Sequence, residues 1–571
     1  MSDGAVRTLA ASGPFSAMES GSHPALEVSR AENDAWTVLF YGELYYRKDV
    51  ACPASLILDC LPENGPFDLW NDCEGIYTAI IHDKRHKKVH FATDRMGLRL
   101  LYVWQTSGAL LWSTQPSAFV NLTGFPAEVD HTALMEYFRL DFLPSDRTLL
   151  KNVVLLPAGT VRTYDLPSEA VTDTVYWSWP GYADTGSADS PYHPGVFQPN
   201  LREAAEHLAM LFRRSVLERA TAGKDPYGHS WRVGLPLSGG LDSRAILSAL
   251  DPFLAQSGHS SSKTSDPSPV DPYATSGVQS NPVSTDSIST EGWPEISGSG
   301  GLYTYTFGKA GSPDVETARI LAQRIGSEHE FIPIHEQNWL KPRLKSVAST
   351  GGMLNILHMH GVEALDSCAK KITLQLNGGC QQFIRGAASG ANATHELTRL
   401  RKFQRLATVL DDQVLLTRLP FYDYAIIDFL QTLPGTLVSC DRLYKQMLLD
   451  HFPALFRGIP DANTGISLDS KWPKFRYFLF RALRRTGLTN RQFHNYPVWI
   501  RSQQDVFHHY LQDKDALLPD LGFASRIAGL MERVVSQRRD RLSPEACEAL
   551  CRLLTVEVYL RHLEGHPVSS G

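Results

Sequence analysis

Cysteine is sparse, with eight in 571 residues. They stand at positions 52, 60, 73, 368, 380, 440, 547 and 551, with no Cys-x-x-Cys pair and no Cys/His set at zinc spacing. This speaks against a disulfide scaffold and a structural zinc site, and points to reduced thiols in a cytoplasmic protein. Long apolar runs are missing too; none nears the roughly 20 residues that cross a bilayer. Met1 to Ser22 lacks the basic start and apolar stretch of a secretory signal. No membrane partner is therefore expected. Charge of one sign is not in excess: 55 Lys and Arg face 61 Asp and Glu, a net −6. That balance gives no footing for nucleic acid. Aliphatic residues are almost missing from 254–300, where Ser, Thr, Pro, Asp and Gly dominate. Such a stretch cannot bury enough surface to offset its ordering entropy, and is expected as a disordered insertion.

What is present is ordinary globular material, 43% hydrophobic and 20% charged. The length suggests two to four domains. Residues 1–30 read as a loose leader. From Trp36 to Ser113 short β-branched and aromatic runs predict strands at 36–41, 75–82, 88–93, 100–104 and 109–113. The last two flank Ser107-Gly108, a hairpin signal. A Pro/Gly/Ser/Asp-rich linker is expected over about 179–198. Then the pattern alternates: a helix over 201–220, strand 233–235, helix 243–250, strand 303–307, helix 314–325 and strand 372–376. Strand and helix in this order predict a parallel α/β sheet. The remainder, about 395 to 566, reads as mainly helical. The fold expected is therefore α/β overall: a β-rich domain over 31–190 and a parallel α/β domain over 200–566, ending in a helical part.

One loop carries chemistry. Ser238-Gly239-Gly240-Leu241-Asp242-Ser243 joins a predicted strand to a predicted helix, after Leu237. Ligands of open α/β sheets bind at that edge. Two glycines let backbone N–H groups approach phosphate oxygens, and the helix N-terminus adds unpaired donors and partial positive charge. Asp242 would repel a bare phosphate, so it makes sense as a ligand of a bridging Mg2+. The loop is not a Walker sequence, which ends in Gly-Lys-Ser/Thr. A plain glycine turn before an N-capping Asp or Ser is the bland alternative.

The loop resembles the pyrophosphatase-type loop of the asparagine synthetase family. The likeness runs from about residue 36 to residue 565, apart from the Ser-rich insertion. It implies an N-terminal glutaminase-like (Ntn-type) sandwich and an ATP-pyrophosphatase domain. It also implies a reaction in which ATP activates a carboxylate, pyrophosphate leaves and an amine forms an amide. Tyr303-Thr-Tyr-Thr-Phe-Gly308 is similar to the second strand of the family, which places Phe307 near the adenine. Asp314 to Ala318, Gly326 to Glu330 and Arg418-Leu-Pro-Phe-Tyr-Asp423 match further family segments. Lys445-Gln-Met-Leu448 resembles the Lys-x-x-Leu segment whose lysine offsets charge as the adenylate forms. Read alone, Lys445 would be a solvated helix lysine. In the first half, Gly42-Glu43-Leu44-Tyr45, Trp70-Asn-Asp-Cys-Glu-Gly75 and Asp94-Arg-Met-Gly-Leu-Arg99 resemble the glutaminase-like domain. The partners implied are a small-molecule or peptide carboxylate and an amine donor, with a homodimer as a possible assembly. Asparagine, a cyclised peptide and another natural product remain open as products.

The chain departs from the family pattern in two places. After the third strand the family has a Gly-x-Gly-x-Asp-Glu-like segment whose Asp is a second Mg2+ ligand. Here the stretch is Asn377-Gly-Gly-Cys-Gln-Gln-Phe-Ile-Arg-Gly386, with Gln381 at the Asp position. Gly378 stands where several members carry a Glu or Tyr that assists amide formation. Asn377, Gly378 and Gly379 keep backbone groups for the ATP, and the Gln381 carbonyl is an uncharged metal ligand. A nucleotide-binding scaffold without turnover is the competing reading. Glutaminases of the family use an N-terminal Cys with its own amine as base. The first cysteine here is Cys52, so no glutamine hydrolysis is expected. Cys547 and Cys551 read as a buried helix pair, and Arg481, Arg484, Arg485 and Arg491 as a solvated basic stretch.

Overall fold

The structure, a computed structural model, describes residues 7–12, 15–19, 28–45, 52–64, 66–179, 199–223, 229–255, 302–387, 393–470, 494–536 and 542–565. Among these residues, sixteen strands form four sheets. Nearly all of the expected linker and of the expected insertion, and the 481–491 basic stretch, lie outside them.

The first half is built on antiparallel sheets. Strands β1 (Arg7–Ser12) and β2 (Phe15–Glu19) pair as a hairpin. Strands β3 (Ser29–Glu32), β4 (Trp36–Leu44), β5 (Gly75–Asp83), β6 (Lys88–Thr93), β10 (Thr160–Asp165) and β11 (Val171–Val175) make a sheet in the order β11-β10-β6-β5-β4-β3. Strands β7 (Tyr102–Thr106), β8 (Ala109–Ser113) and β9 (Val153–Leu155) make a second one, ordered β8-β7-β9. Strand residues alternate faces, so one row of each strand can close on the other sheet. Leu39, Ile80 and Phe91 from the larger sheet pack with Leu101, Val103 and Leu156 in one core. The opposite row, Phe40, Tyr77 and Ile81, packs against Ile57 and Leu61 of helix α1 (Pro53–Asn64). The layers form the expected β-rich sandwich.

The second half holds the parallel sheet. Helix α2 (Leu201–Thr221) opens on a capping box, in which Asn200 accepts from the Glu203 amide and Glu203 accepts from the Asn200 amide. Next come β12 (Val233–Pro236), α3 (Leu241–Ala255), β13 (Tyr303–Gly308), α4 (Pro313–Ile325), β14 (Glu328–Pro333), β15 (Leu374–Leu376) and β16 (Leu416–Arg418). Every pair in the order β14-β13-β12-β15-β16 is parallel. The chain builds outward on one side of β12, then returns to build on the other. β12 is thus the switch point, where adjoining loops diverge and leave a crevice at the carboxyl edge. Helices α5 (Arg442–His451) and α6 (Pro544–Leu563) belong to the helical remainder. Cys547 and Cys551 lie on α6 and are buried in its core, as their spacing predicts. Among the described residues no helix is long and apolar enough to cross a membrane.

Four expectations change. Residues 7–12 and 15–19 of the expected loose leader pair as β1 and β2. Their small residues give little hydrophobic signal, and pairing rests on the backbone ladder. β7 starts at Tyr102, not Leu100, because the chain before it still belongs to the turn held by Asp94. α3 takes in Leu241 and Asp242 and runs to Ala255, through the first two residues of the expected insertion. β16 is a strand inside the stretch read as helical; three residues are too short to show a period.

The two halves meet through charge. Arg418, at the end of β16, sets its guanidinium against Glu43 of β4, with Nη2 to Oε1 at 2.7 Å. Arg219 reaches Asp423 at 3.0 Å and Glu74 at 3.3 Å. Asp94 is fully buried; it accepts from the amides of Tyr77, Met96, Leu98 and Arg99 and from the Tyr422 hydroxyl. Arg99 and Arg405 share Asp412. A buried ion pair is costly to break from one side, because the remaining charge has no partner. Arg418→Ala is expected to lower stability by about 3 kcal/mol, read by urea unfolding, with Glu43 left uncompensated. A loss below about 1 kcal/mol would mean that the pair is solvated rather than structural.

Candidate nucleotide site at the switch point

β12 ends at Pro236 and α3 begins at Leu241, so residues 237–240 form the connection at the sheet's carboxyl edge. Leu237 is buried, and both its backbone groups are used: its N–H donates to Tyr305 O at 2.8 Å and its carbonyl accepts from the Thr306 hydroxyl at 2.6 Å. It anchors the loop to β13. Beyond it the chain folds on itself. The Ser238 amide donates to Ser243 Oγ at 3.0 Å, the two hydroxyls lie 3.1 Å apart, and the Gly240 amide donates to Ser238 Oγ at 3.2 Å. The amides of Leu241, Asp242 and Ser243 open the helix and so have no carbonyl one turn before them. Ser238, Gly240 and Asp242 are half-buried, while Gly239, Leu241 and Ser243 are buried.

Gly239 is fixed from outside the loop. Its amide donates to Asp314 Oδ1 at 3.1 Å, and its carbonyl accepts from the Ala462 amide at 3.0 Å and from Arg244 at 2.7 Å. A methyl group here would sit 2.4 Å from Ala462 Cβ and 3.0 Å from Thr317 Cβ, so glycine is demanded by packing. The buried Arg244 side chain also reaches Ile459 O and Pro460 O, which ties the 459–462 segment over the loop. Burial raises the Asp314 carboxyl's affinity for its proton, and the Gly239 amide partly opposes this.

The loop after β15 lies alongside. β15 pairs directly with β12, so both strands deliver their following loops to the same edge. The Asn377 side chain accepts from the Gly379 amide at 2.9 Å, and the Asn377 amide donates to Arg418 O at 2.9 Å. A Cβ on Gly378 would stand 3.3 Å from Asp242 Cβ and 3.5 Å from the Ser243 amide nitrogen. The loops touch there, and a Glu or Tyr at 378 would crowd Asp242. The Gln381 amide oxygen is buried without a hydrogen-bond partner among the described residues.

Asp242 is the centre of the cluster. Tyr444 Oη donates to its Oδ1 at 3.0 Å, and Arg385 Nη1 lies 3.3 Å from its Oδ2. Burial pushes the carboxyl up from its ordinary range; Arg385 and Tyr444 offset this only in part. Arg385 also grips Asp441, whose Oδ2 lies 3.4 Å from Lys445 Nζ. Burial alone would raise Asp441, but Arg385 and Lys445 outweigh it and the carboxyl falls below its usual range. The structure thus brings the 238–243 loop and the Asn377-Gly378 turn together at Asp242, with Lys445 one step away on Asp441. Phe307 is further along the edge, its ring beneath Gly361. Sequence reasoning missed Asp314, Arg385, Asp441 and Tyr444. Asp314 and Arg385 lie inside segments compared with the family but are given no role there, and Asp441 and Tyr444 lie four and one residues before Lys445.

Among the described residues no group of three or more His, Cys, Asp or Glu gathers as a metal cage. Oxygen donors are nevertheless present in the Asp242 carboxylate and the unpartnered Gln381 amide oxygen. Each carboxylate oxygen has a second lone pair beyond its present partner. Mg2+ draws on one or two carboxylates and takes its other ligands from phosphate and water, so the donor set suits it.

Comparison with known proteins gives the same two-part division. A glutamine amidotransferase domain model matches residues 41–177 and an asparagine synthase model matches 210–353. The glutamine-hydrolysing asparagine synthetase of Gallus gallus is 23% identical over 402 residues, covering 66% of this chain and 60% of its own length. A protein of Methanocaldococcus jannaschii, provisionally named a glutamine-hydrolysing asparagine synthetase, is 23% identical over 189 residues, a third of each chain. The chain therefore spans between a third and three fifths of these relatives. A solved glutamine phosphoribosylpyrophosphate amidotransferase from B. subtilis aligns with 54% of this chain and 73% of its own at 10% identity, with a TM-score of 0.20, too low to bear on the fold. Both domain models match in order and asparagine synthetases are among the relatives, which together support placing the chain in the asparagine synthetase family.

Proposed function

We propose that this chain is an ATP-dependent amide ligase whose nucleotide lies across the switch point of the parallel sheet. The observation that carries the reading is the 238–243 loop, half-open at the carboxyl end of β12, with Asp242 at the first turn of α3. In this reading the amides that start α3 and the Ser238 and Ser243 hydroxyls hold the β- and γ-phosphates. Phe307 and the backbone of Leu237 border the adenine. Bound Mg2+, held by Asp242 and Gln381, would neutralise phosphate charge. A carboxylate oxygen of the substrate attacks the α-phosphorus, and the bond to pyrophosphate breaks. Lys445 offsets the charge growing on pyrophosphate. An amine then attacks the acyl carbon, loses a proton, and AMP leaves. The acyl substrate is a small molecule or peptide. Cysteine is sparse, eight in 571 residues, which suits a reducing compartment.

The same reading takes the sandwich domain to be inactive toward glutamine. Its cysteines, Cys52, Cys60 and Cys73, have their nitrogens in peptide bonds, so none has a free amine to act as its base. Incubation with glutamine is expected to release no glutamate above an enzyme-free control. Steady release would overturn this part.

Two measurements address the nucleotide site. Asp242→Ala is expected to remove the gain in ATP affinity that Mg2+ brings, measured by titration calorimetry; an unchanged gain would contradict its role. Gly239→Ala is expected to weaken ATP binding at least tenfold and to cost about 1–3 kcal/mol of stability, because Ala462 and Thr317 leave no room for the methyl. Wild-type affinity in that variant would show that the loop geometry is not needed. Turnover is read by pyrophosphate release with ATP across a panel of carboxylates and amines. Tight ATP binding with no release anywhere on the panel would favour a nucleotide-binding scaffold, the reading that Gln381 and Gly378 support.

A further inference from the structure

Arg385 stands in the turn after β15, four residues past Gln381, in the segment where the family has its second acidic metal ligand. Its Nε donates to Asp441 Oδ1 at 3.2 Å and its Nη2 to Asp441 Oδ2 at 3.0 Å. This two-point fork fixes the plane of the guanidinium. The remaining edge then points to Asp242, with Nη1 3.3 Å from Oδ2. The backbone shows that this arrangement is imposed. Cys440 and Asp441 both have positive φ, 57° and 59°, a conformation rare outside glycine. Such residues persist where their surroundings hold them, often at functional sites. Here the strained pair brings the Asp441 amide to Arg385 O at 3.3 Å and turns its carboxylate onto the guanidinium. Lys445 Nζ meets the same carboxylate, at Oδ2, at 3.4 Å.

The cluster is not sealed. The side chains of Arg385, Asp242 and Asp441 keep 32%, 20% and 21% of their exposure, so a ligand in the crevice can reach them. Asp242 and Asp441 face Arg385 and Lys445, so these four charges balance, and Gln381 adds none. Arg385 therefore places a cation of the chain itself in the segment where a second carboxylate would otherwise recruit a metal ion.

On the reading that ATP lies on the 238–243 loop, we propose that Arg385 is a phosphate-binding residue, held in place by Asp441, that takes over part of the charge neutralisation of a metal ion. With its Nε–Nη2 fork held by Asp441, the guanidinium still has a second hydrogen on each Nη to donate to phosphate oxygens, and it stays charged at every working pH. Asp441 acts through Arg385 as a positioning residue. The chain should accordingly hold ATP with a reduced dependence on Mg2+.

The test is titration calorimetry of the full chain with ATP in Mg2+, with ATP in EDTA, and with AMP, which lacks the β- and γ-phosphates. Wild type, Arg385→Gln and Arg385→Lys are compared, with thermal unfolding as a check on folding. The wild type is expected to bind metal-free ATP within about tenfold of its affinity in Mg2+. Arg385→Gln is expected to lose at least tenfold for metal-free ATP and little for AMP, and Arg385→Lys to recover part of the loss. Wild-type affinity for metal-free ATP in Arg385→Gln would overturn the proposal, as would equal losses for ATP and AMP. Should Arg385→Gln fail to fold, a lysine variant with wild-type affinity would also overturn it, since a point charge would then serve as well as the fork. Failure of the wild type to bind ATP in Mg2+ would instead overturn the nucleotide reading beneath it.

Discussion

A carboxylate half-buried at the first turn of a helix is the constraint around which this site is built. The helix start favours negative charge, but the low dielectric around Asp242 does not tolerate it without partners. Its partners come from two directions. Tyr444 arrives on α5, and Arg385 arrives on the turn after β15. Once Arg385 is in place, a second carboxylate must hold its other edge, and Asp441 does so from a strained backbone. Asp242 thus joins three separate segments, and the loop that carries it cannot shift without disturbing all three. The glycine loop itself is rigid because Asp314, Arg244 and Ala462 occupy the hydrogen-bonding groups of Gly239.

The second dependence is between the halves of the molecule. The segments that link the sandwich to this family are also the ones that face the parallel sheet. Glu43 pairs with Arg418, Glu74 with Arg219, and the Asp94 turn receives the Tyr422 hydroxyl. Arg418 sits at the end of β16, and its carbonyl accepts from the Asn377 amide in the loop beside the glycine turn. Arg418 therefore connects the sandwich, through its guanidinium, to the edge of the candidate site, through its carbonyl.

Much of this architecture is legible in the sequence, and the limits have physical causes. β4, β5, β6 and β8 show because their residues are β-branched or aromatic and bounded by turns. The helix at 201–221 shows because its apolar positions keep the helical period. The 238–243 loop shows because glycine, serine and aspartate recur there for reasons of local geometry. β16 does not show, since three residues carry no period, and the β1–β2 hairpin does not because its stability lies in backbone pairing. The site residues divide the same way. Asp242 and Lys445 belong to local patterns. Arg385 meets Asp242 across 143 positions and Asp314 meets Gly239 across 75, so only the fold brings them together. Gln381 reads as a loss in the sequence; the arginine four residues on, which changes the meaning of that loss, is visible only through its contacts.

The most direct test of the account is hydrogen exchange of backbone amides with and without saturating ATP and Mg2+. Slowed exchange is expected over residues 239–244 and 377–382, at the two loops that leave β12 and β15 together. Unchanged exchange at both loops, with slowing instead around Arg95, Trp177 and Arg401, which line a cavity between the two halves, would contradict it.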